Sequence, residues 1–211
     1  MELVPLKTIH GEEKGWKILE GLPAGDVCSR ASVDYESSTA TYTVRSFGIS
    51  FFVSVSERRI FSDSPASVFF LETFKDFFNL SLLWYLTSAR DIPASGRLIR
   101  PLDVRGGQRF FSGTHVLPLD RIASLYGKDK TAFIGQGEKF CAEVVNYGDV
   151  ALRLLPLPRV PITMILWLED EEFPARADLL FDSTCDLQIS LSDIVWSLAM
   201  LTCLVMLEPL E

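Results

Sequence analysis

The chain is poor in histidine, with two in 211 residues, and it has four cysteines. Those cysteines, Cys28, Cys141, Cys185 and Cys203, stand far apart and form no C-x-x-C pair. Two histidines leave little material for a His-rich metal centre. Scattered cysteines give neither a zinc spacing nor a redox pair. Three of them lie in apolar contexts, where a reduced thiol acts as a small hydrophobe. This usage predicts a reducing, cytoplasmic compartment without a disulfide framework. Long hydrophobic runs are also missing. The greasiest stretch, Ile194–Leu207, is shorter than the ~20 residues needed to cross a bilayer. Met1–Gly15 lacks the apolar core of a signal peptide. Basic charge is scarce: 20 Lys and Arg stand against 28 Asp and Glu, for a net charge of −8. With no basic stripe, that balance argues against nucleic acid, whose phosphates need cations. It argues equally against an anionic membrane surface. No nucleophile elbow, phosphate-cradling loop or dinucleotide fingerprint occurs. The sequence therefore assigns no cofactor and no metal.

Apolar material is abundant. The hydrophobic fraction is 48%, and fifteen residues are Phe. Either the core is large or an apolar partner surface accompanies it. The length predicts a single domain over 1–211. Residues 1–38 read as an irregular segment in which Trp16, Ile18, Leu19 and Leu22 form a short helix turn. Residues 39–207 read as the core.

Thr39–Arg45 alternates polar and apolar residues, Ser46–Gly48 turns, and Ile49–Ser56 returns, which predicts a β-hairpin. Ser64-Pro65 opens a helix that runs to about Ala89, with Pro at its first position. Phe70, Leu71, Phe74, Phe77, Phe78 and Leu82 share its apolar face, and Glu72, Lys75, Asp76 and Asn79 the polar one. Arg97–Phe111 reads as a second hairpin with Gly106-Gly107 at its tip. Pro118–Tyr126 is a helix stopped by Gly127. Asp129–Tyr147 reads as another helix, weakened by Gly135 and Gly137. Val150–Leu155, Ile162–Leu168 and Arg176–Phe181 are strands, the last two joined by the Glu169–Pro174 turn. Ser190 and Asp193 resemble a capping box before a helix over Leu191–Leu207. That helix is apolar almost all round, so it lies centrally or packs on a partner. The segregated elements predict an α+β fold. It would have an antiparallel sheet of about five to seven strands, with three to four helices mainly on one face.

Four residues are candidate ligand-binding groups. His115 sits between an aromatic strand and a helix start, and its imidazole titrates near neutrality. Arg109 belongs to a group with Arg97, Arg100 and Arg105 around the Gly-Gly turn. Guanidiniums placed so can grip a carboxylate or phosphate, or they are surface charges, some paired with Asp103. Asp149 and Asp182 stand at the ends of predicted elements, where acids can converge or simply start turns. The run Glu169–Glu172 offers hard-cation ligands or a solvated turn. Cys185 has no His or Lys neighbour to lower its pKa.

The stretches LSLLWYLTSA at 80–89, RPLDVRGGQRFF at 100–111 and YGDVALRLLPLPRVPITMILWLEDEEFPARADLLFDST at 147–184 carry a resemblance. Together with Arg30, Ala31, Val33 and Tyr35, they resemble the uncharacterised prokaryotic family Domain of Unknown Function 3786 over about residues 28–207. The resemblance implies mostly anaerobic bacteria and archaea, and a neighbourhood of corrinoid or one-carbon metabolism. Some members resemble fusions with an iron–sulfur domain. This chain lacks the cysteines for such a cluster, and the family brings no established activity or catalytic residue.

Three readings follow. The first is a non-catalytic accessory module that binds a small ligand or a partner protein in an aromatic-lined cleft. The second is a small-molecule enzyme using Arg109, His115 and one of Asp149 or Asp182. The third is a structural homodimer joined through Ile194–Leu207.

Overall fold

Gly11 and Gly15 determine how the N-terminal segment packs. In the computed structural model, which describes residues 8–109, 116–189 and 191–207, Thr8–Glu20 forms helix α1 and Ala24–Ala31 helix α2. Helix α1 lies against α3 (Lys75–Ser88). A Cβ on Gly11 would stand 3.1 Å from Leu80 Cδ1, and one on Gly15 3.1 Å from Leu83 Cβ. The missing side chains let the two helices approach closely, and Trp84 Nε1 donates to the Gly11 carbonyl at 3.3 Å. Trp16, Leu19, Val27 and Ala31 are buried. Residues 8–31 are thus mostly helical and part of the core, where the sequence predicts an irregular stretch with one short turn. Glycine's poor helix propensity hides a helix that tertiary packing stabilises.

The first sheet is an antiparallel meander of β1 (Asp34–Glu36), β2 (Thr41–Ser46), β3 (Ile49–Ser54) and β4 (Arg59–Phe61). The predicted β2–β3 hairpin is present, with Ser46 opposite Ile49. Its two-residue turn places Phe47 at φ 49° and Gly48 at φ 78°. A turn with positive φ at both positions matches the twist of the paired strands. Phe47 is fully buried, and its N–H donates to the Leu155 carbonyl at 2.8 Å, while Ser46 Oγ donates to the Pro156 carbonyl at 2.7 Å. These bonds dock the hairpin tip onto the second sheet.

Residues 65–88 are not one helix. A 3₁₀ turn at Pro65–Ser67 leads into a wider, π-type turn at Phe69–Thr73, and α3 begins only after Phe74, whose φ is −120°. The backbone leaves the regular α-helical pattern where Phe69, Phe70, Phe74 and Phe78 pack on one another. The Phe74 N–H instead bonds the Phe69 carbonyl, five residues back, at 3.3 Å. That widening sets the Phe69 and Phe74 rings 5.0 Å apart and Phe70 4.9 Å from Phe78. Phe51 of β3 lies 4.5 Å from Phe78, which ties the first sheet to α3.

The second sheet holds β5 (Leu98–Ile99), β6 (Glu143–Val145), β7 (Val150–Leu157), β8 (Val160–Trp167) and β9 (Arg176–Asp182). Its order is β5-β9-β8-β7-β6, all antiparallel. The strands expected from Val150 to Phe181 are found. The fold is α+β as expected, with two antiparallel sheets of four and five strands in place of one. The hairpin expected over Arg97–Phe111 does not form within the described residues. Leu98 and Ile99 pair instead with Asp182 and Phe181, and the chain then turns at Pro101–Asp103. Helix α4 (Leu119–Tyr126) ends at Gly127 as predicted. The helix expected over Asp129–Tyr147 is only α5 (Lys130–Glu138), capped where the Ala132 N–H donates to Asp129 Oδ1 at 2.9 Å. The chain turns at Cys141, φ 53°, and the β-branched Val144 and Val145 enter β6.

After the short α6 (Cys185–Gln188), α7 (Ser192–Leu207) runs through the centre and packs on α3, α4, α5, α6 and β7. Leu198, Ala199, Cys203, Val205 and Met206 are fully buried. Its apolar circumference is covered mostly by the same chain, the first of the two arrangements such a helix allows. Ser190 of the expected capping box lies outside the described residues. No described helix is long and apolar enough to cross a membrane.

Candidate functional site

The five-stranded sheet has two unlike faces. Leu152, Leu154, Ile162, Met164, Leu166, Leu179 and Phe181 alternate along β7, β8 and β9 and are buried in the core. The intervening residues form the other face. There, register aligns Glu143 with Arg153, Arg153 with Thr163, and Thr163 with Leu180. Leu98 pairs with Asp182 at the far side. A cleft of about 420 Å³ crosses this face, lined by Leu98, Glu143, Arg153, Thr163, Asp182 and Tyr147 among others. A neighbouring cleft of about 350 Å³ shares Ala94, Glu143, Arg153 and Pro161 with it and extends to Cys141 and Arg159. Each is within the size range of small-ligand sites.

Asp182 builds one wall of this cleft. It is 2% exposed, so its carboxylate has almost no water. Five donors replace it. Oδ1 accepts from the Ser95 N–H at 3.1 Å, Ser95 Oγ at 3.0 Å, the Thr184 N–H at 2.9 Å and Thr184 Oγ1 at 2.7 Å. Oδ2 accepts from the Gly96 N–H at 2.7 Å. Burial pushes the carboxyl pKa up, and the bonds from Thr184, Ser95 and Gly96 outweigh it, so the group titrates below the usual carboxylate value. An acid held so firmly ionised is a poor proton acceptor. Its work is to fasten the loop after α3 to the end of β9.

Arg153 forms an ion pair with Glu143 across the middle of the cleft. Arg159 Nη2 bonds Asp91 Oδ1 at 2.6 Å and the Ser29 carbonyl at 3.1 Å. Its backbone N–H donates to Tyr85 Oη at 3.1 Å, and Tyr85 Oη donates to the Ala31 carbonyl at 2.7 Å.

Asp149 sits elsewhere. Its Oδ2 accepts from the Leu168 N–H at 2.8 Å, and its carbonyl accepts from Lys130 Nζ at 3.0 Å. It therefore marks the end of β8 near Leu168. Asp182 adjoins Phe181, which pairs with Ile162 at the opposite end of β8. Six residues of strand at ~3.3 Å each separate the two acids by roughly 20 Å. They do not converge. His115 lies outside the described residues, as does the side chain of Arg109, whose backbone ends the short turn Gly107–Arg109. Of the other arginines in that group, Arg100 is paired with Asp103 at 2.9 Å, and the Arg105 N–H donates to Asp186 Oδ2 at 2.9 Å.

Among the described residues no group of three or more His, Cys, Asp or Glu is placed to hold a metal ion. All four cysteines are free. Burial pushes the Cys185 thiol up to about 12 and the Cys203 thiol higher than its ordinary value. Such thiols are inert. The run Glu169–Glu172 is an exposed turn in which Asp170 Oδ1 accepts from the Glu172 and Phe173 N–H groups at 2.8 and 2.7 Å.

Of the four candidates, Asp182 lines this cleft, beside Glu143, Arg153 and Thr163, which the sequence does not single out. The available signal was Arg153, a lone charge inside the apolar run from Val150 to Leu157. Its partner across the sheet became identifiable only once β6 was known to be a strand.

No curated protein and no solved structure matches the chain. The family model described as a domain of unknown function matches residues 24–203 and so spans both sheets and most of α7. By that match the chain belongs to the family Domain of unknown function (DUF3786).

Proposed function

We propose that the protein is a cytosolic, non-catalytic accessory module that binds a small ligand on the outer face of the five-stranded sheet. The observation that carries this reading is the paired cleft of about 420 and 350 Å³, with the Arg153–Glu143 pair shared between its two parts. Polar groups in a half-apolar cleft orient a ligand, while the apolar area holds it. Asp182 supports the same reading, because its carboxylate serves the wall and is not free to move protons. On the family resemblance, the setting would be corrinoid or one-carbon metabolism in anaerobic prokaryotes.

The test is native mass spectrometry of the protein purified from its own host, beside the Arg153→Glu variant. That substitution reverses the charge at the centre of the cleft and leaves the core untouched. A discrete small-molecule adduct on the wild type, absent from the variant, is the expected result. A wild-type protein that is empty, and that no member of a metabolite library stabilises thermally, would refute the reading.

A further inference from the structure

At the other end of β8, away from that cleft, the β8–β9 turn leaves two aromatic side chains in solvent. Phe173 is 66% exposed and Trp167 38%. Together with Leu168, Pro174 and Ala175 they line an open concavity of about 570 Å³, larger than either part of the outer-face cleft. A turn tip needs no phenylalanine, and an exposed Phe adds little to the stability of the chain that carries it. Clustered exposed aromatics mark sites of association.

The turn backbone and the Trp167 ring are also held in place. The Asp170 N–H bonds the Phe173 carbonyl at 3.0 Å, and Asp170 Oδ1 accepts from the Phe173 N–H at 2.7 Å. Trp167 Nε1 donates to Asp178 Oδ2 at 2.9 Å, and the Arg176 guanidinium lies 5.1 Å from the Trp167 ring centroid. The Glu169 N–H bonds the Gly127 carbonyl at 3.0 Å and fastens the turn to the end of α4. A turn backbone and a Trp ring fixed before binding lose little entropy on association.

Charge selects the partner. Asp149, Glu169, Asp170, Glu171, Glu172 and Asp178 surround the concavity or the turn beside it. They outnumber the local cations Lys128, Lys130 and Arg176. Lys128 is paired with Glu169 at 3.0 Å and Arg176 with Asp178 at 3.1 Å, so neither offsets Glu171 or Glu172. The result is an apolar platform with an acidic rim, on a chain whose net charge is −8.

We infer that the Trp167–Phe173 platform docks a partner protein through a segment that presents lysine or arginine beside aliphatic side chains. The aliphatic groups cover Phe173 and Trp167, and the cations meet the Glu171 and Glu172 carboxylates. This surface is separate from the outer-face cleft, and either can exist without the other.

The test uses the full chain and three fluorescein-labelled twelve-residue peptides, alternating Lys-Leu, Lys-Gly and Glu-Leu, read by anisotropy. The Lys-Leu peptide is expected to bind, and the other two at least tenfold more weakly. Phe173→Ser should weaken Lys-Leu binding about tenfold. Glu171→Gln with Glu172→Gln should weaken it several-fold and flatten its salt dependence. Arg153→Glu should leave it unchanged. Equal binding of Lys-Gly would reduce the surface to charge alone and overturn the inference. So would full affinity in Phe173→Ser, or no Lys-Leu binding at millimolar peptide. Sedimentation showing a dimer that Phe173→Ser dissociates would assign the platform to a second copy of this chain, and would also overturn it.

Discussion

Replacing Asp182 by Asn tests a buried side chain that takes five hydrogen bonds. The two residues have the same shape, so packing is kept and only charge and one acceptor change. The Asn carbonyl can take the Oδ1 position, where Ser95 and Thr184 donate. Its amide nitrogen then faces the Gly96 N–H, donor against donor, where Oδ2 had accepted at 2.7 Å. An N–H left without a partner in this part-buried contact costs about 1–3 kcal/mol. The remaining bonds also lose their charge assistance, which roughly halves their strength. A total of about 3 kcal/mol follows, or roughly 6–12 °C in Tm for a domain of this size. Urea unfolding at neutral pH measures it directly. The pH dependence adds a second check. The folded carboxyl titrates below its usual value. Its stabilisation is therefore complete above the unfolded pKa, ~3.9, and is lost as pH falls through the folded one. The gap between wild type and Asp182→Asn should be constant near neutrality and close as the solution is acidified below pH ~4. A neutral-pH gap under ~0.5 kcal/mol, within the scatter of ordinary surface substitutions, would refute the reasoning. So would a gap that widens in acid.

Other substitutions probe the packing. Nothing lies within 4 Å of a Cβ on Gly135, so Gly135→Ala should stabilise α5 by up to ~1 kcal/mol. Gly137→Ala would set a methyl 2.5 Å from Leu152 Cδ1 and should destabilise by about 1–3 kcal/mol. Thermal melts of the pair should move in opposite directions. Tyr85→Phe removes the bonds that join α2 to the β7–β8 turn through Ala31 and Arg159. It should cost about 1–3 kcal/mol in denaturant titrations, because the Ala31 carbonyl loses its donor. Asn79 is 4% exposed and its Oδ1 has no hydrogen-bond partner, so Asn79→Leu should raise stability by about 1 kcal/mol in the same assay.

What could be read from the sequence was what local pattern controls. The β2–β3 hairpin, α4 and the strands from β7 to β9 each carry their own alternation or stop residue. The failures all depend on distant partners. Gly11 and Gly15 look like helix breakers until Leu80 and Leu83 are placed against them. Phe133, Phe140 and Val144 fit a helical spacing, yet Cys141 turns the chain and Val144 pairs with Leu152. Asn79 falls on the polar side of the helical wheel and is nevertheless buried. The outer-face cleft was invisible for the same reason. Glu143, Arg153 and Thr163 are ten residues apart in the sequence at each step, and they share a row only through sheet register.

The fate of the candidate acids bears on how strand-end carboxylates are to be read. A strand that ends beside a loop leaves backbone N–H groups with no ladder partner, and a buried N–H must find an acceptor. Asp182 meets that need for the buried Thr184 N–H and the part-buried Ser95 and Gly96 N–H groups, while Asp149 caps the exposed Leu168 N–H. Each thus has a backbone role apart from any chemistry. A pair like Arg153 and Glu143 differs. It is an exposed pair between the edge strand β6 and its neighbour β7, where it meets no orphaned backbone group and adds little to stability. The same holds for Phe173, which the turn does not need. Side chains whose cost the fold does not explain are the ones to which binding is assigned. By that criterion we propose the outer face of the second sheet and the tip of its β8–β9 turn, rather than the strand-end acids, as the surfaces to test for binding.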